Sequence, residues 1–279
     1  MSGTLSVVAT PIGNLEDITL RALRVLREAQ VIAAEDTRRT AKLLSHYGIQ
    51  TPMLSFHSHN ARARTPQLLS RLAAGAHVAL VTDAGTPGIS DPGVELVEAC
   101  RHHGISVDPL PGASASLTAA VGSGFPLNPL TFCGFPPLKG RARHAWLSSL
   151  AASTGTTVFF EAPHRIEATL RDLALFLGNR TICVARELTK THQEFKVGAA
   201  NDPSILSITR KGEFSIVVAP PEPADTSLVD RPDAEIVSVF LSFDQPLASG
   251  GRRGVAALVA KQLGLSVNRV YQAIERTKI

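Results

Sequence analysis

Along the first 123 residues, short continuous apolar runs alternate with stretches whose apolar positions recur every three or four residues. The runs at 5–9, 31–34, 53–56, 77–82 and 106–109 read as strands, since parallel strands buried on both faces lose the in/out alternation. The stretches at 18–29, 37–47, 62–74, 94–102 and 113–122 read as helices. Gly48 is placed to end the second helix, and Asp91-Pro92 to cap the fourth with proline in its first turn. Strand and helix in alternation imply a mostly parallel sheet covered on both faces.

The pattern changes after Gly124-Phe125-Pro126-Leu127-Asn128-Pro129, which reads as a linker. Strands are predicted at 130–134, 156–160, 181–186, 192–197 and 213–219, with helices at 141–150, 163–177 and 201–208. The short interval between 181–186 and 192–197 suits an antiparallel pair, so this sheet is expected to be mixed. Pro220-Pro221-Glu222-Pro223-Ala224-Asp225 reads as a stiff polar linker. Helices follow at 234–242, 253–263 and 267–276, the last two separated by Gly264-Leu265-Ser266, with Ser266 as a cap. That pair suits a helix-turn-helix with Asn268, Arg269, Gln272 and Arg276 on its exposed side. A small helical packing domain is an equal reading. The expected division is an α/β domain at 1–123, a second α/β domain at 124–220 and a helical domain at 233–279.

Composition narrows the class. A chain of 279 residues with 44% apolar content can bury a substantial core. No apolar run reaches the ~18 residues that span a bilayer. The opening residues enter a strand pattern without a signal-peptide pattern, so a cytoplasmic location and no membrane partner are expected. Cys100, Cys133 and Cys183 are scattered and unpaired in sequence, which suits core packing rather than disulfides or zinc. A net charge of +4 permits a polyanionic partner without demanding one.

Candidate chemistry sits where strands end. Val78-Ala79-Leu80-Val81-Thr82 runs into Asp83-Ala84-Gly85-Thr86-Pro87-Gly88-Ile89-Ser90-Asp91-Pro92-Gly93, an acid followed by a rigid small-residue loop. Such a loop at a strand's carboxyl end is the usual α/β ligand position. Ala9-Thr10-Pro11-Ile12-Gly13-Asn14-Leu15 follows the first strand and is shaped to meet a nucleoside or second substrate. Glu35-Asp36-Thr37-Arg38-Arg39 follows the second; its acids suit ribose hydroxyls or a helix cap equally. Leu110-Pro111-Gly112-Ala113-Ser114-Ala115-Ser116 allows close approach by a planar ligand or by a neighbouring backbone. Beyond the linker, Phe160-Glu161-Ala162-Pro163-His164-Arg165 and Arg186-Glu187-Leu188-Thr189-Lys190 put charges where bare turns would suffice. The loop at 134–144 is basic, and its Phe135 could stack on a base. No GxGxxG, P-loop, HExxH or other metal-ligand spacing occurs.

Taken in order, Val8-Ala9-Thr10-Pro11-Ile12-Gly13-Asn14-Leu15, Ala34-Glu35-Asp36-Thr37-Arg38, the 82–93 segment, Pro111-Gly112-Ala113-Ser114 and residues 160–165 resemble the tetrapyrrole methylase superfamily. The resemblance runs from about residue 5 to 219 and is strongest to the branch that methylates small-subunit ribosomal RNA. It implies two α/β domains in a homodimer, S-adenosyl-L-methionine in the cleft between them, and 2′-O-methylation of a cytidine in the decoding region of 16S rRNA. Asp83, Gly85, Thr86 and Pro87 would line the cofactor pocket, flanked by Ser114 and Ala115. Pro11 and Gly13 would join them from the first loop. Glu161 and Ala162, with the 184–187 loop, would close over the adenine. Asp-Ala-Gly stands here where tetrapyrrole-modifying relatives have Asp-Pro, which favours RNA over corrinoid or porphyrin. Beside a poor hydroxyl nucleophile, Glu35, Asp36, Arg38, Glu187 and Lys190 are the catalytic candidates, with Lys190 or Arg186 expected to support the developing alkoxide and Glu187 or Asp36 to orient the hydroxyl. A tetrapyrrole methyltransferase is the nearest alternative, and a ligand-sensing DNA-binding regulator the more distant one.

Overall fold

The structure, a computed structural model, describes residues 3–222, 231–242, 251–263 and 265–277. Contacts divide the chain into two compact units, Met1–Pro220 and Pro221–Ile279. Within the first lie two five-stranded sheets.

The first sheet is built from β1 (Thr4–Val8), β2 (Val31–Ala34), β3 (Met53–Ser55), β4 (His77–Val81) and β5 (Ser106–Leu110), all parallel, in the order β3-β2-β4-β1-β5. Its central strands are buried almost throughout, which is why they read as unbroken apolar runs. Helices α1 (Leu20–Glu28) and α2 (Thr37–His46) cover one face, with Leu23, Leu26, Leu43 and Leu44 in one core cluster. Helices α3 (Ala61–Ala73) and α4 (Val94–His102) cover the other with Leu68, Leu72, Leu96 and Cys100. Asp36 caps α2, and its side chain accepts from the Arg38 amide at 2.8 Å. The cap of α4 differs from the sequence expectation. Gly93, at φ 138°, takes the N-cap position and Asp91 does not cap the helix. Pro92 therefore stands before the helix instead of in its first turn.

The fifth helix, α5 (Ala115–Ser123), leaves the first sheet and packs on the second. That sheet comprises β6 (Leu130–Phe132), β7 (Thr156–Glu161), β8 (Thr181–Arg186), β9 (Glu194–Ala199) and β10 (Phe214–Val218), in the order β6-β7-β10-β8-β9. β6 and β7 are parallel, while β10 runs antiparallel to both β7 and β8, and β8 antiparallel to β9. Helices α6 (Gly140–Ala152), α7 (Ile166–Leu177) and α8 (Pro203–Leu206) share the core of one face with Phe159, Phe214 and Ile216. On the other face Ala119 and Ala120 of α5 meet Val158, Cys183, Ala185 and Val217. Gly122 permits this approach, because a Cβ there would sit 2.4 Å from the Phe195 ring.

In the second unit, α9 (Asp233–Ser242), α10 (Gly251–Leu263) and α11 (Val267–Arg276) surround a core that includes Ile236, Phe240, Val259, Val270 and Ile274. Ser266 caps α11 by accepting from the Arg269 amide at 3.1 Å. Asn268, Gln272 and Arg276 are exposed, but Arg269 is turned inward, donating to the Asp233 carboxylate and to the Arg231 carbonyl. The linker positions Pro223, Ala224 and Asp225, and Gly264 in the last turn, lie outside the described residues. Among the described residues no helix is long and apolar enough to cross a membrane.

Phe159 is fully buried and meets Trp146 edge-on at 5.0 Å between ring centroids. Phe159→Ala is expected to lower the unfolding free energy by about 3–5 kcal/mol, read as a reduced urea midpoint.

Candidate functional site

The parallel register aligns the strand ends, so the loops after β1, β2, β4 and β5 emerge along one edge. Ala34 pairs with Val81, and Val8 with Leu110. The loops are then tied to one another. Thr10 and Gly85 exchange two backbone hydrogen bonds at 2.9 Å, and the Thr86 hydroxyl donates to the Ala113 carbonyl at 3.2 Å. The Asp36 amide donates to Asp83 Oδ1 at 3.1 Å, while the Asp83 amide donates to Glu35 Oε2 at 3.2 Å. Arg39 Nη1 lies 3.5 Å from Asp83 Oδ2.

These loops form one wall of a cavity of about 350 Å³ that opens between the two sheets. Ile12 and residues 84–86, 89–91 and 114–116 supply this side. Phe135 and residues 160–163 and 213–215 supply the other. The size is at the lower end of the range for small-molecule sites, and the mix of apolar walls with a few polar atoms suits one. Ser114 caps α5 at the cavity rim, with its hydroxyl 3.1 Å from that of Ser116. Glu161 is buried; its carboxylate accepts from the Ala162 amide at 2.8 Å and lies 3.2 Å from Arg165 Nε. Phe160 stands edge-on to Phe132 and Phe135, which stiffens the apolar wall.

Gly85, Thr86, Ser114, Ala115, Glu161 and Ala162 thus come together around one cavity. Asp83 and Pro11 instead line an adjoining cavity of about 160 Å³. Gly13 faces neither. A Cβ on it would be 2.5 Å from Lys190 Cγ and 2.9 Å from the Leu188 carbonyl, so glycine lets the first loop lie against the 187–190 loop. Pro87 packs beside Gly93, within the loop's own fold. The 184–187 segment is not in the wall. β10 is inserted between β7 and β8, so residues 213–215 flank residues 160–163 in its place. Ile12 and Ile89 are wall residues within loops read from sequence as ligand loops, though neither was singled out, and Glu213, Phe214 and Ser215 were missed, their signal being Glu213 at the start of an apolar run. Phe135, read as a base-stacking side chain, is a wall residue, and its neighbour Arg143 is engaged by Asp172 at 2.7 Å and by Thr169 at 2.9 Å.

The catalytic candidates fall in two clusters. The Arg38 side chain, then its amide, hold the Asp36 carboxyl far below the usual carboxylate range. Glu187 accepts from Lys190 Nζ at 2.8 Å, and this bond lowers its pKa. Burial opposes the Lys190 charge, but hydrogen bonds to Glu187 and to Glu213 at 3.0 Å outweigh it and raise the pKa. Lys190 therefore stays an ammonium at neutral pH. Glu187 and Thr189, at φ 50° and 66°, together with Ser90 at 66°, are the positive-φ non-glycine residues among those described. Ser90 lines the large cavity, while Glu187 and Thr189 belong to the loop against which Gly13 packs. No group of three or more His, Cys, Asp or Glu among the described residues is arranged to hold a metal ion.

Residues 4–203 match the family described as Tetrapyrrole (Corrin/Porphyrin) Methylases. The ribosomal RNA small subunit methyltransferase I of Synechocystis sp. is 50% identical over 274 residues, covering 97% of this chain and 96% of its own. Its namesake in Haemophilus influenzae is 40% identical over 281 residues, covering 98% and 96%. The chain belongs to the ribosomal RNA small subunit methyltransferase I family, within the tetrapyrrole methylases. Among solved structures, the methyltransferase CobJ aligns with a TM-score of 0.60 at 23% identity, over 79% of this chain and 95% of that one. Uroporphyrin-III C-methyl transferase from Thermus thermophilus, complexed with S-adenyl homocysteine, gives 0.56 at 18% over 78% and 97%. At such identities the likeness is one of fold alone.

Asp91 lines the large cavity, and burial, then the charges of Glu35 and Asp83, push its pKa up to about 7. A carboxyl with a raised folded-state pKa contributes stability that is present at low pH and is lost as pH rises from about 4 through 7. Asp91→Asn removes that loss. The Tm of the variant relative to the parent protein is expected to climb between about pH 5 and about pH 8 in thermal melts.

Proposed function

We propose that this chain transfers a methyl group from S-adenosylmethionine to the 2′-hydroxyl of a cytidine in the decoding region of 16S rRNA. The observation that carries the reading is the cavity at the carboxyl edge of the first sheet, in a chain that matches rRNA methyltransferases along nearly its whole length. Its apolar walls suit an adenine, and the hydroxyls of Thr86, Ser114 and Ser116 suit a ribose and an amino-acid end. Gly85, Thr86, Ser114, Ala115, Glu161 and Ala162 would hold the cofactor by direct contact. Asp83, Pro11, Gly13 and Pro87 would shape the loops around it. S-adenosylmethionine supplies a sulfonium methyl, an electrophile that leaves a neutral thioether.

The protein's part is then positional and electrostatic. An in-line displacement is accelerated by holding hydroxyl and methyl carbon on one axis, and the tied loops hold their geometry before either partner arrives. Lys190, kept charged by Glu187 and Glu213, supports the developing alkoxide. Asp36 acts through Arg38 and Asp83 to orient the acceptor side. We assign residues 1–123 and 124–220 to the two α/β domains that enclose the cofactor cleft. Residues 233–279 form a helix-turn-helix-like RNA-docking domain. The protein works as a cytoplasmic homodimer on rRNA within the small ribosomal subunit. A tetrapyrrole acceptor is disfavoured because the relatives at 40–50% identity bear the rRNA name, whereas the porphyrin enzyme shares only the fold.

Mass mapping of ribose methylation in 16S rRNA from cells with and without the protein is expected to differ by one cytidine in the decoding region. An unchanged map rejects the reading. For the mechanism, Lys190→Met is expected to lower kcat by on the order of a hundredfold while S-adenosylhomocysteine affinity by calorimetry holds. Full turnover in that variant would remove Lys190 from the chemistry.

A further inference from the structure

Methyl transfer to a hydroxyl releases a proton, and the acids around the large cavity differ in their freedom to take it. Glu161 accepts from the Ala162 amide and the Thr169 hydroxyl and lies beside Arg165. Glu213 is paired with Lys190 at 3.0 Å. Glu35 accepts from the Asp83 amide, and Asp83 from the Asp36 amide, with Arg39 at 3.5 Å. Asp36 and Glu187 are each held by a cation, Arg38 and Lys190, that lowers their affinity for a proton. Asp91 lines the same cavity, and among the described residues no hydrogen bond or ion pair engages its side chain.

An aspartate just ahead of a helix ordinarily turns its carboxylate onto the first amides of that helix. Here Ser90 stands at φ 66° before it and Gly93 at φ 138° takes the N-cap position, so Asp91 forgoes that role and faces the cavity. Departures from local preference of this kind collect at functional sites. The position is also at the rim. Ile89 and Ser90 are exposed, whereas Gly85 of the same loop and the same wall is buried. Beside them lies the second domain's loop: a Cβ on Gly134 would stand 3.5 Å from Ser90 Oγ, and Phe135 is exposed. A small molecule can fill the cavity behind this rim, while a polynucleotide can approach only from outside it. Asp91 borders both, with no wall between.

We propose that Asp91 is the general base of the methyl transfer, its carboxylate taking the proton of the acceptor 2′-hydroxyl as the oxygen attacks the methyl carbon. The inference rests on the reading of the chain as an RNA 2′-O-methyltransferase and deepens it with a catalytic residue for that reaction. In the step the O–H bond breaks and its proton passes to Asp91. The new bond joins oxygen to the methyl carbon, and the electron pair of the broken C–S bond stays on sulfur, leaving a neutral thioether. Electrostatics suits the role. Burial first, then Glu35 at the end of β2 and Asp83 at the end of β4, push the Asp91 pKa up to about 7, where a carboxylate accepts protons well and is still substantially ionised at neutral pH. The other charges around it are the Arg39 guanidinium beside Asp83 and, on the opposite wall, the Glu161–Arg165 and Glu213–Lys190 pairs.

The test is single-turnover transfer of labelled methyl from S-adenosylmethionine to small subunits that lack the modification, followed from about pH 5 to about pH 8 in the parent protein and in Asp91→Asn. The parent rate is expected to rise with pH as the carboxylate forms and to level off above an apparent pKa of about 7 or lower, since a bound sulfonium favours the ionised form. Asp91→Asn is expected to lose that limb and to be slower by on the order of a hundredfold at neutral pH, with S-adenosylhomocysteine affinity by calorimetry unchanged. Without turnover, a carboxyl resonance that titrates near about pH 7 in carbon NMR of the parent protein is expected to be absent from the variant. Full turnover in Asp91→Asn, with the parent active, overturns the assignment and leaves the function standing. An S-adenosylhomocysteine affinity that falls in step with the rate makes Asp91 a cofactor ligand and overturns it as well. If the variant does not fold, the parent profile decides alone, and a rate flat across the range overturns the base. A parent protein that methylates no small-subunit RNA overturns the function and the base with it.

Discussion

Everything at the candidate site depends on how closely α5 lies against the second sheet. The helix begins at the carboxyl edge of the first sheet and buries Ser116, Ala119, Ala120 and Ser123. Its small face meets Val158, Val217 and the Phe195 ring, with Gly122 where any side chain would collide. Close packing of this kind leaves no slack, because interiors have crystal-like density and one methylene is felt. The helix therefore sets the spacing of two sheets that share no hydrogen-bonded strand pair. The large cavity is the gap left at its N-terminal end, where Ser114, Ala115 and Ser116 face residues 160–163 and 213–215. A packing constraint in one helix thus sets the width of a binding site.

Rigidity around that gap comes from loops that satisfy one another. The first loop bonds to the 83–93 loop through Thr10 and Gly85, and to the far side through the Asn14 amide and the Thr189 hydroxyl at 3.0 Å. Among Glu35, Asp36 and Asp83, the Asp36 amide is held by the Asp83 carboxylate and the Asp83 amide by the Glu35 carboxylate. Burial, and after it the gathered charges of Glu35 and Asp83, raise the pKa of Asp91. Arg38 and Arg39 offset part of the acidic charge from the α2 side, and Lys190 does the same for Glu187 and Glu213 opposite. The left-handed conformations of Ser90, Glu187 and Thr189 belong to the same arrangement, held by surroundings that outweigh the local strain.

The strands and helices were largely legible because burial periodicity is a local property. The 94–102 and 181–186 segments lie where the pattern puts them, and the antiparallel pairing of the latter with the next strand follows from their short separation. The α2 cap was legible too, since Asp36 needs only its own next turns. The α4 cap was not. An aspartate before a proline reads as a cap, but here Asp91 lines the cavity wall, and glycine at φ 138° starts the helix. Arg269 and Arg143 show the same limit. Each belongs to a basic, exposed-looking stretch, and each is bound by a carboxylate distant in sequence.

By itself the sequence determined which segments are strands and helices, that ligand loops follow the strands of the first sheet, and the family through its ordered motifs. These depend on neighbours along the chain, where turn chemistry and hydrophobic period act. Only the tertiary structure decided that β10 enters between β7 and β8, so that Glu213, Phe214 and Ser215 face the cavity and residues 184–187 do not. It alone separated Asp83 and Pro11 into a second cavity beside the first. Strand order and cavity walls arise from pairings between residues far apart in the chain, which local pattern does not encode.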